Sequence, residues 1–295
     1  MYRLALYLAL FGANVVYATS YVVARVTLDS VPPTTLAILR LVIGALVLAP
    51  LGRPRPPDPA LSRDDRRAIA WMGILGFAAA YAFSNWGIAS STATNAALLI
   101  VVEPVSLMLM SPLFLGERLT RREGVGAALA IAGTVLVVVN GIPGVTAALA
   151  PHWRGDSLLV LAGVAYASYS MFGRRVLARH AAAGITLRSL LWGAATLLPL
   201  ALAEWATGAR PVWTATAIAG TLYLSVVITA LGYLVWNWAL RLVPAPKAAI
   251  FLNVQPIVGA LLGAALLDEP LTVFTIVGGM GIVAGLAVAF GRGAG

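Results

Sequence analysis

Apolar residues run through this chain in long unbroken blocks, without the short alternating or 3.6-residue stripes of strands and helices that face water on one side. A block of about 20 apolar residues is long enough to cross a bilayer as a helix. Ten such blocks can be read, over 4–27, 33–51, 69–89, 95–115, 122–141, 156–177, 186–206, 214–239, 247–267 and 272–291. Pro32 and Pro33 open the second block, and Arg53-Pro54-Arg55-Pro56-Pro57 closes it, because a proline run lacks the backbone donors a helix needs. Pro143, Pro151 and Pro211 mark later loops. The pattern predicts an all-α membrane protein of ten transmembrane helices. The first block has the outline of a signal peptide, with Arg3 before it and Ala18-Thr19-Ser20 near its end. It runs on through Val22-Val23-Ala24, longer than the apolar core of such a peptide, and is expected to remain a span.

Composition strengthens this picture. The 295 residues are 60% hydrophobic and 11% charged, whereas a soluble domain carries roughly 45–50% apolar and about 25% charged residues. There is no cysteine, so thiolate chemistry is excluded. Twenty basic against eleven acidic residues give a net charge of +9, which in a soluble protein would suggest nucleic acid. Here the basic residues gather in short loops, where they orient helices. With the N-terminus in the cytoplasm, fifteen loop cations fall on that side and only Arg25, Arg154 and Arg210 on the other, Arg40 and Arg188 lying within spans. Both termini are therefore expected in the cytoplasm, with membrane lipid and a small molecule, and no nucleic acid, as partners.

A shift of 152 residues lays the second half on the first. Tyr81 meets Tyr233, Asn85-Trp86 meets Asn237-Trp238, Glu103-Pro104 meets Gln255-Pro256, and Glu117 meets Glu269. Gly126 meets Gly278 and Gly133 meets Gly285, while a shift of 149 pairs Tyr17 with Tyr166. The expected units are 1–143 and 152–295, each of five spans. An odd number of spans turns the second unit upside down, and the loop charges follow. Arg118, Arg121 and Arg122 after the fourth span have no basic counterpart, while Arg241 and Lys247 answer an uncharged turn at Ser90–Thr94. Inverted repeats around a midplane site are the architecture of secondary carriers.

Each repeat carries a proline, an apolar stretch, then Gly116-Glu117-Arg118-Leu119 or Asp268-Glu269-Pro270-Leu271, and a glycine-rich last span. In this the whole chain resembles the drug/metabolite transporter superfamily, EamA type. The resemblance implies a bacterial inner-membrane carrier that exports amino acids or related metabolites, possessing no cofactor and no enzymatic activity. The second copy departs from the first in having Pro270 where Arg118 stands, as the inverted topology requires.

Polar residues at membrane depth are costly and mark function or paired structure. The candidate binding residues are Tyr81, Ser84 and Asn85 on one face of the third span and Tyr233, Trp236 and Asn237 on the eighth. Tyr17 and Tyr21 on the first span, Tyr166 and Tyr169 on the sixth, and Asn253 and Gln255 on the ninth complete the set. Such aromatic walls with a few amides suit a zwitterionic or aromatic metabolite. Glu103 is either a proton-coupling residue or a hydrogen-bonded carboxyl that supports a kink at Pro104. Because its counterpart is Gln255, hydrogen bonding is the property both copies share. Arg40 and Arg188 could each bind a carboxylate, snorkel to the interface, or pair with an acid. Pro104 and Pro256, at equivalent mid-helix places, are candidate hinges. The glycines of the fifth and tenth spans suit close packing, inside the fold or at a dimer seam, so monomer and dimer both remain open.

Competing classes are a carrier of sugar phosphates or nucleotide sugars, a carrier of drug-like cations, a channel and an intramembrane enzyme. The first would want several cations at depth. The last would want clustered titratable groups, whereas His152 and His180 both fall in loops. No Gly-x-x-x-x-Gly-Lys-Ser/Thr loop is present to use ATP, and no metal-ligand set is read.

Overall fold

The computed structural model describes residues 2–52, 60–114, 119–139, 152–235 and 254–290. These form ten helices: α1 (Tyr2–Leu28), α2 (Pro33–Leu48), α3 (Arg63–Ala89), α4 (Ala93–Phe114), α5 (Arg121–Val139), α6 (Trp153–Leu177), α7 (Ala182–Ala206), α8 (Ala215–Val235), α9 (Val254–Leu267) and α10 (Val273–Phe290). The ten-helix expectation is met. Five of them, α3, α4, α5, α7 and α8, are long and apolar enough to cross a membrane, and α2, α9 and α10 are shorter apolar helices.

The largest boundary difference is at α3, which starts six residues before its apolar block. Ser62 accepts from the Asp65 backbone at 3.1 Å, and the Asp65 carboxylate accepts from the Ser62 backbone at 3.0 Å. This capping box satisfies the first-turn donors, so the helix extends into the polar Arg63–Arg67 stretch that hydropathy alone leaves out.

Helix contacts follow a simple rule. α5 lies on α10, α2 on α7, and α4 on α9; α3 lies on α6 as α8 lies on α1, and α1 lies on α9 as α6 lies on α4. Exchanging each helix for the one five places along the chain leaves this set unchanged, the relation a twofold axis gives. The pairing of α5 with α10, one of the two most extensive, is built on glycine. A Cβ added at Gly133 would lie 2.5 Å from the Gly278 carbonyl oxygen, and one at Gly126 would lie 2.6 Å from that of Gly285. These two contacts exchange under the repeat correspondence, and they place the glycine stripe inside the fold.

Carboxylates tie one end of the bundle together. Glu269 accepts from the backbone amides of Ala93 and Thr94, both at 2.7 Å, at the start of α4. Glu204 accepts from Thr34 at 3.1 Å and Thr35 at 2.8 Å at the start of α2. Asp156 accepts from Ser91 and from Asn95, the latter at 3.1 Å. Each acid thus caps or braces a helix start on a different helix, where the dipole favours a negative charge. At the opposite end Asp65 holds Arg179 at 2.5 Å and His180 at 3.5 Å. Glu269→Ala leaves two amides of α4 without an acceptor, and Ala93 and Thr94 are buried. The expected loss is about 3 kcal/mol, read as a lower thermal midpoint of the detergent-solubilised protein, while the exposed i,i+3 pair Asp64–Arg67 tolerates the same truncation.

Candidate functional site

The third and eighth helices share an irregularity that apolar patterning does not reveal. Ile74–Ala79 in α3 and Tyr223–Leu231 in α8 are wound as π-helix. The two segments overlap in the repeat correspondence, and each leads directly into a tyrosine, Tyr81 or Tyr233. A π segment widens the turn and re-aims the side chains around it, and such segments concentrate at functional sites. In α8 the Thr229 hydroxyl donates to the Leu224 carbonyl at 2.9 Å, five residues back, and lies 3.2 Å from the Tyr81 hydroxyl.

These windings gather an aromatic cluster. Phe77 lies 5.9 Å from Tyr81, 5.0 Å from Tyr169 and 5.4 Å from Tyr233, measured between ring centroids. Tyr81 meets Tyr166 at 5.8 Å, and Tyr169 meets Tyr233 at 5.5 Å. Tilted and edge-on contacts of this kind are favourable for aromatic pairs. Glycines make the room: a Cβ at Gly76 would lie 2.6 Å from that of Tyr169, and one at Gly232 would lie 2.5 Å from the Tyr17 hydroxyl. Tyr17, Tyr166, Tyr233, Glu103 and Gln255 are half-buried, whereas Tyr21, Tyr81 and Tyr169 are buried, so the cluster is open along one side. Tyr17 also borders a cavity of about 270 Å³ between α1 and α8, with apolar walls at Val16, Ile228, Leu231 and Val235.

Most of the expected binding residues thus converge. Ser84 is buried on the same face as Tyr81, and Tyr169 lies 3.1 Å from the Thr186 hydroxyl. Asn85 does not face the cluster. It is fully buried, and its amide donates to the Pro33 carbonyl at 3.0 Å while Trp86 donates to Thr34 at 3.2 Å. The Asn-Trp pair therefore fastens the start of α2 to α3 through its two donors, while the buried Asn85 side-chain oxygen has no partner among the described residues. Trp236, Asn237 and Asn253 lie outside the described residues.

Glu103 does not share the hydrogen bonding of its counterpart. Gln255 donates to Asn14 at 2.8 Å and accepts from the Tyr21 hydroxyl at 3.3 Å. The Glu103 carboxylate has no such partner among the described residues, so hydrogen bonding is not what the two copies share. The reason is in the repeat: the residue equivalent to Asn14 is Gly163, which has no side chain, and it packs directly on Val102 and the Glu103 backbone.

Pro104 is not in the middle of a continuous helix either. α4 is interrupted at Ile100–Val101, and Pro104 falls in the first turn of its second segment. Proline cannot donate to the carbonyl four residues back. The Glu103 amide takes the Ile100 carbonyl instead, at 3.0 Å, and the helix breaks there. Pro256 likewise lies in the first described turn of α9.

Arg40 neither snorkels nor pairs. It is 6% exposed, two turns into α2 and enclosed by α3 and α8, so its stem has no path to the interface. Its Cζ lies 4.3 Å from the Tyr81 ring centroid, and its buried Nε has no acceptor. No acid pairs with it among the described residues. Arg188 is half-buried in α7 beside Gly184, away from the cluster.

Sequence reading missed Phe77, Asn14 and Thr229. Phe77 stands four residues before Tyr81 and Asn14 three before Tyr17, so each shares a face with a named tyrosine and could have been found that way. Thr229 could have been found in the same way, since it stands four residues before Tyr233 as Phe77 does before Tyr81.

Ten apolar helices in two equivalent sets around a polar and aromatic cluster define a membrane transporter. Residues 4–139 and 153–291 each match the EamA-like transporter family. The chain belongs to that family, whose members are multi-pass membrane proteins. It is 30% identical over 287 residues to a probable terminal-alkyne amino-acid exporter of Streptantibioticus cattleyicolor, covering 94% of this chain and 91% of that one. It is 26% identical to a probable amino-acid metabolite efflux pump of Escherichia coli, covering 93% and 91%. A crystal structure 22% identical in sequence shares the fold with a TM-score of 0.62, over 97% of this chain and 95% of that one.

Proposed function

We propose that the protein exports amino acids or related small metabolites across the bacterial inner membrane by alternating access, with both termini in the cytoplasm. The observation that carries this reading is the tyrosine cluster, built from α1, α3, α6 and α8 where the two halves meet and open along one side. The relatives named as amino-acid exporters support the substrate class. The fifteen-to-three distribution of loop cations supports the orientation. Arg40 is the one buried cation beside the cluster among the described residues, too little positive charge for a sugar phosphate. The break ahead of Pro104 gives α4 two segments that can tilt separately, and we assign the same hinge role to Pro256 in α9. The protein works as a monomer in contact with lipid and a small-molecule substrate, since its small-residue helix faces are already used within one chain.

Glu103 is the coupling residue in this scheme. A proton and a substrate ammonium compete for one carboxylate, which is the logic of antiport. The test is counterflow in proteoliposomes with a panel of labelled amino acids, with and without a pH gradient. Wild type is expected to exchange at least one amino acid and to be accelerated by the gradient, and Glu103→Gln to exchange without acceleration. Exchange of sugar phosphates alone overturns the substrate class, and a gradient without effect on wild type removes Glu103 from coupling.

A further inference from the structure

Two ionisable groups of opposite type stand at this cluster, Arg40 buried and Glu103 half-buried, and neither has a counter-ion among the described residues. Arg40 stacks on Tyr81, its Nε enclosed and without an acceptor. A guanidinium does not lose its proton in a protein, so its charge persists. Burying such a charge unpaired is costly, and a cation–π contact offsets only part of that cost. Glu103 stands at the break in α4, where the α6 residue packed on its backbone is Gly163, one turn before Tyr166. Its carboxylate is also without a partner among the described residues. The two groups serve the same cluster: Tyr81, under Arg40, meets Tyr166 at 5.8 Å between ring centroids, and Tyr166 stands one turn after the glycine packed on Glu103; yet they do not form an ion pair with each other.

Other polar groups of the cluster have partners: Tyr81 has Thr229, Tyr169 has Thr186, Tyr21 has Gln255, and Gln255 has Asn14. Beside them, two unpaired ionisable groups of opposite type are a specification for what is missing: one molecule with an anionic fork-acceptor and a cationic donor on the same small frame.

We propose that Arg40 and Glu103 are the two poles of a zwitterion clamp, Arg40 taking the carboxylate of an α-amino acid and Glu103 its ammonium. This rests on the reading of the cluster as the substrate site and sharpens it. The guanidinium fork matches a carboxylate bidentately, and Tyr81 beneath it fixes the plane of the fork. The aromatic rings then face the amino acid's side chain. A compound with only one of the two charges leaves the other pole buried and unpaired, so the clamp rejects amines, amides and plain acids by the same mechanism.

The experiment is calorimetric binding to the full chain in detergent, with L-phenylalanine, L-phenylalaninamide and 3-phenylpropionate, three compounds of nearly one shape. Wild type is expected to bind phenylalanine at least ~10-fold more tightly than either of the others. Arg40→Met abolishes the preference over the amide, and Glu103→Gln abolishes the preference over 3-phenylpropionate. Arg40→Lys keeps the charge without the fork and retains part of the preference. Because the charge is unpaired in the empty carrier, Arg40→Met melts no lower than wild type. A variant that melts well below it assigns Arg40 to packing and overturns the clamp. So does an amide or a plain acid bound by wild type as tightly as phenylalanine, a result that needs no variant to fold. Full preference in binding without transport of any amino acid in liposomes sinks the exporter reading and leaves the clamp in place. Transport without preference sinks the clamp alone.

Discussion

Gly133→Leu is expected to leave almost no folded protein in the membrane. The first carbon of the new side chain would meet the Gly278 carbonyl oxygen at 2.5 Å and the Ile282 amide nitrogen at 2.7 Å. Both are backbone atoms of α10, so no rotamer change relieves the contact; the helices must separate. Small residues are what lets transmembrane helices approach closely, because lipid provides no hydrophobic drive to hold them. Separation also undoes the reciprocal contact of Gly126 with Gly285, which depends on the same crossing. Overpacking of a core costs about 1–3 kcal/mol, and a clash with backbone along so extensive a helix pair belongs above that range. Fluorescence-detected size exclusion should show a collapsed or absent peak. Gly124→Leu on the same helix is the control, since nothing lies within 4 Å of a Cβ there, and it should purify as wild type does.

Gly232→Ala is expected to act on function and to spare the fold. Its methyl group would lie 2.5 Å from the Tyr17 hydroxyl and 2.7 Å from the ring carbon bearing it. These atoms are the far end of a flexible side chain, so Tyr17 swings aside at little cost in stability. The space it leaves toward is the half-open side of the tyrosine cluster. Half-saturation in the liposome assay should rise by roughly tenfold, equivalent to about 1.4 kcal/mol, with the thermal midpoint little changed. Tyr17→Leu removes the obstructing ring, and the Gly232→Ala, Tyr17→Leu pair should lie closer to Tyr17→Leu alone than the two single effects would add to. That non-additivity is the signature of two side chains in contact. Strict additivity would mean that Tyr17 does not move into the substrate's path.

Much of the architecture is written in hydropathy, because a span must be long, apolar and internally hydrogen-bonded. The helix breaks at Pro32-Pro33 and the inward tyrosines Tyr81 and Tyr169 could be read in that way. Three things could not. The π segments depend on how α3 and α8 accommodate their neighbours, and no local residue type announces them; nor does spacing show that Asn85 is taken up by the Pro33 carbonyl at the start of α2. The break in α4 lies at Ile100–Val101, ahead of the proline that causes it. The unpaired state of Glu103 is invisible at Glu103 itself: it follows from a glycine at position 163, sixty residues along the chain, where the other half has Asn14. The acids Glu204 and Glu269 were legible as charges near span ends but not as caps, since the amides they serve belong to helices far away in sequence.

Every helix of this bundle has its most extensive partner in the other half of the chain. A ribosome delivers the first five helices before any of those partners exists. Until α6 to α10 follow, α5 presents its glycine groove to lipid and α3 exposes the seat of Tyr169. The start of α4 waits for Glu269, which lies almost at the end of the chain. The first half alone therefore lacks the partners on which its helix packing depends, and α5 is covered only when α10 enters the bilayer and closes on it. Quality control that senses unpaired membrane helices would see each nascent copy as immature until its last span is in place.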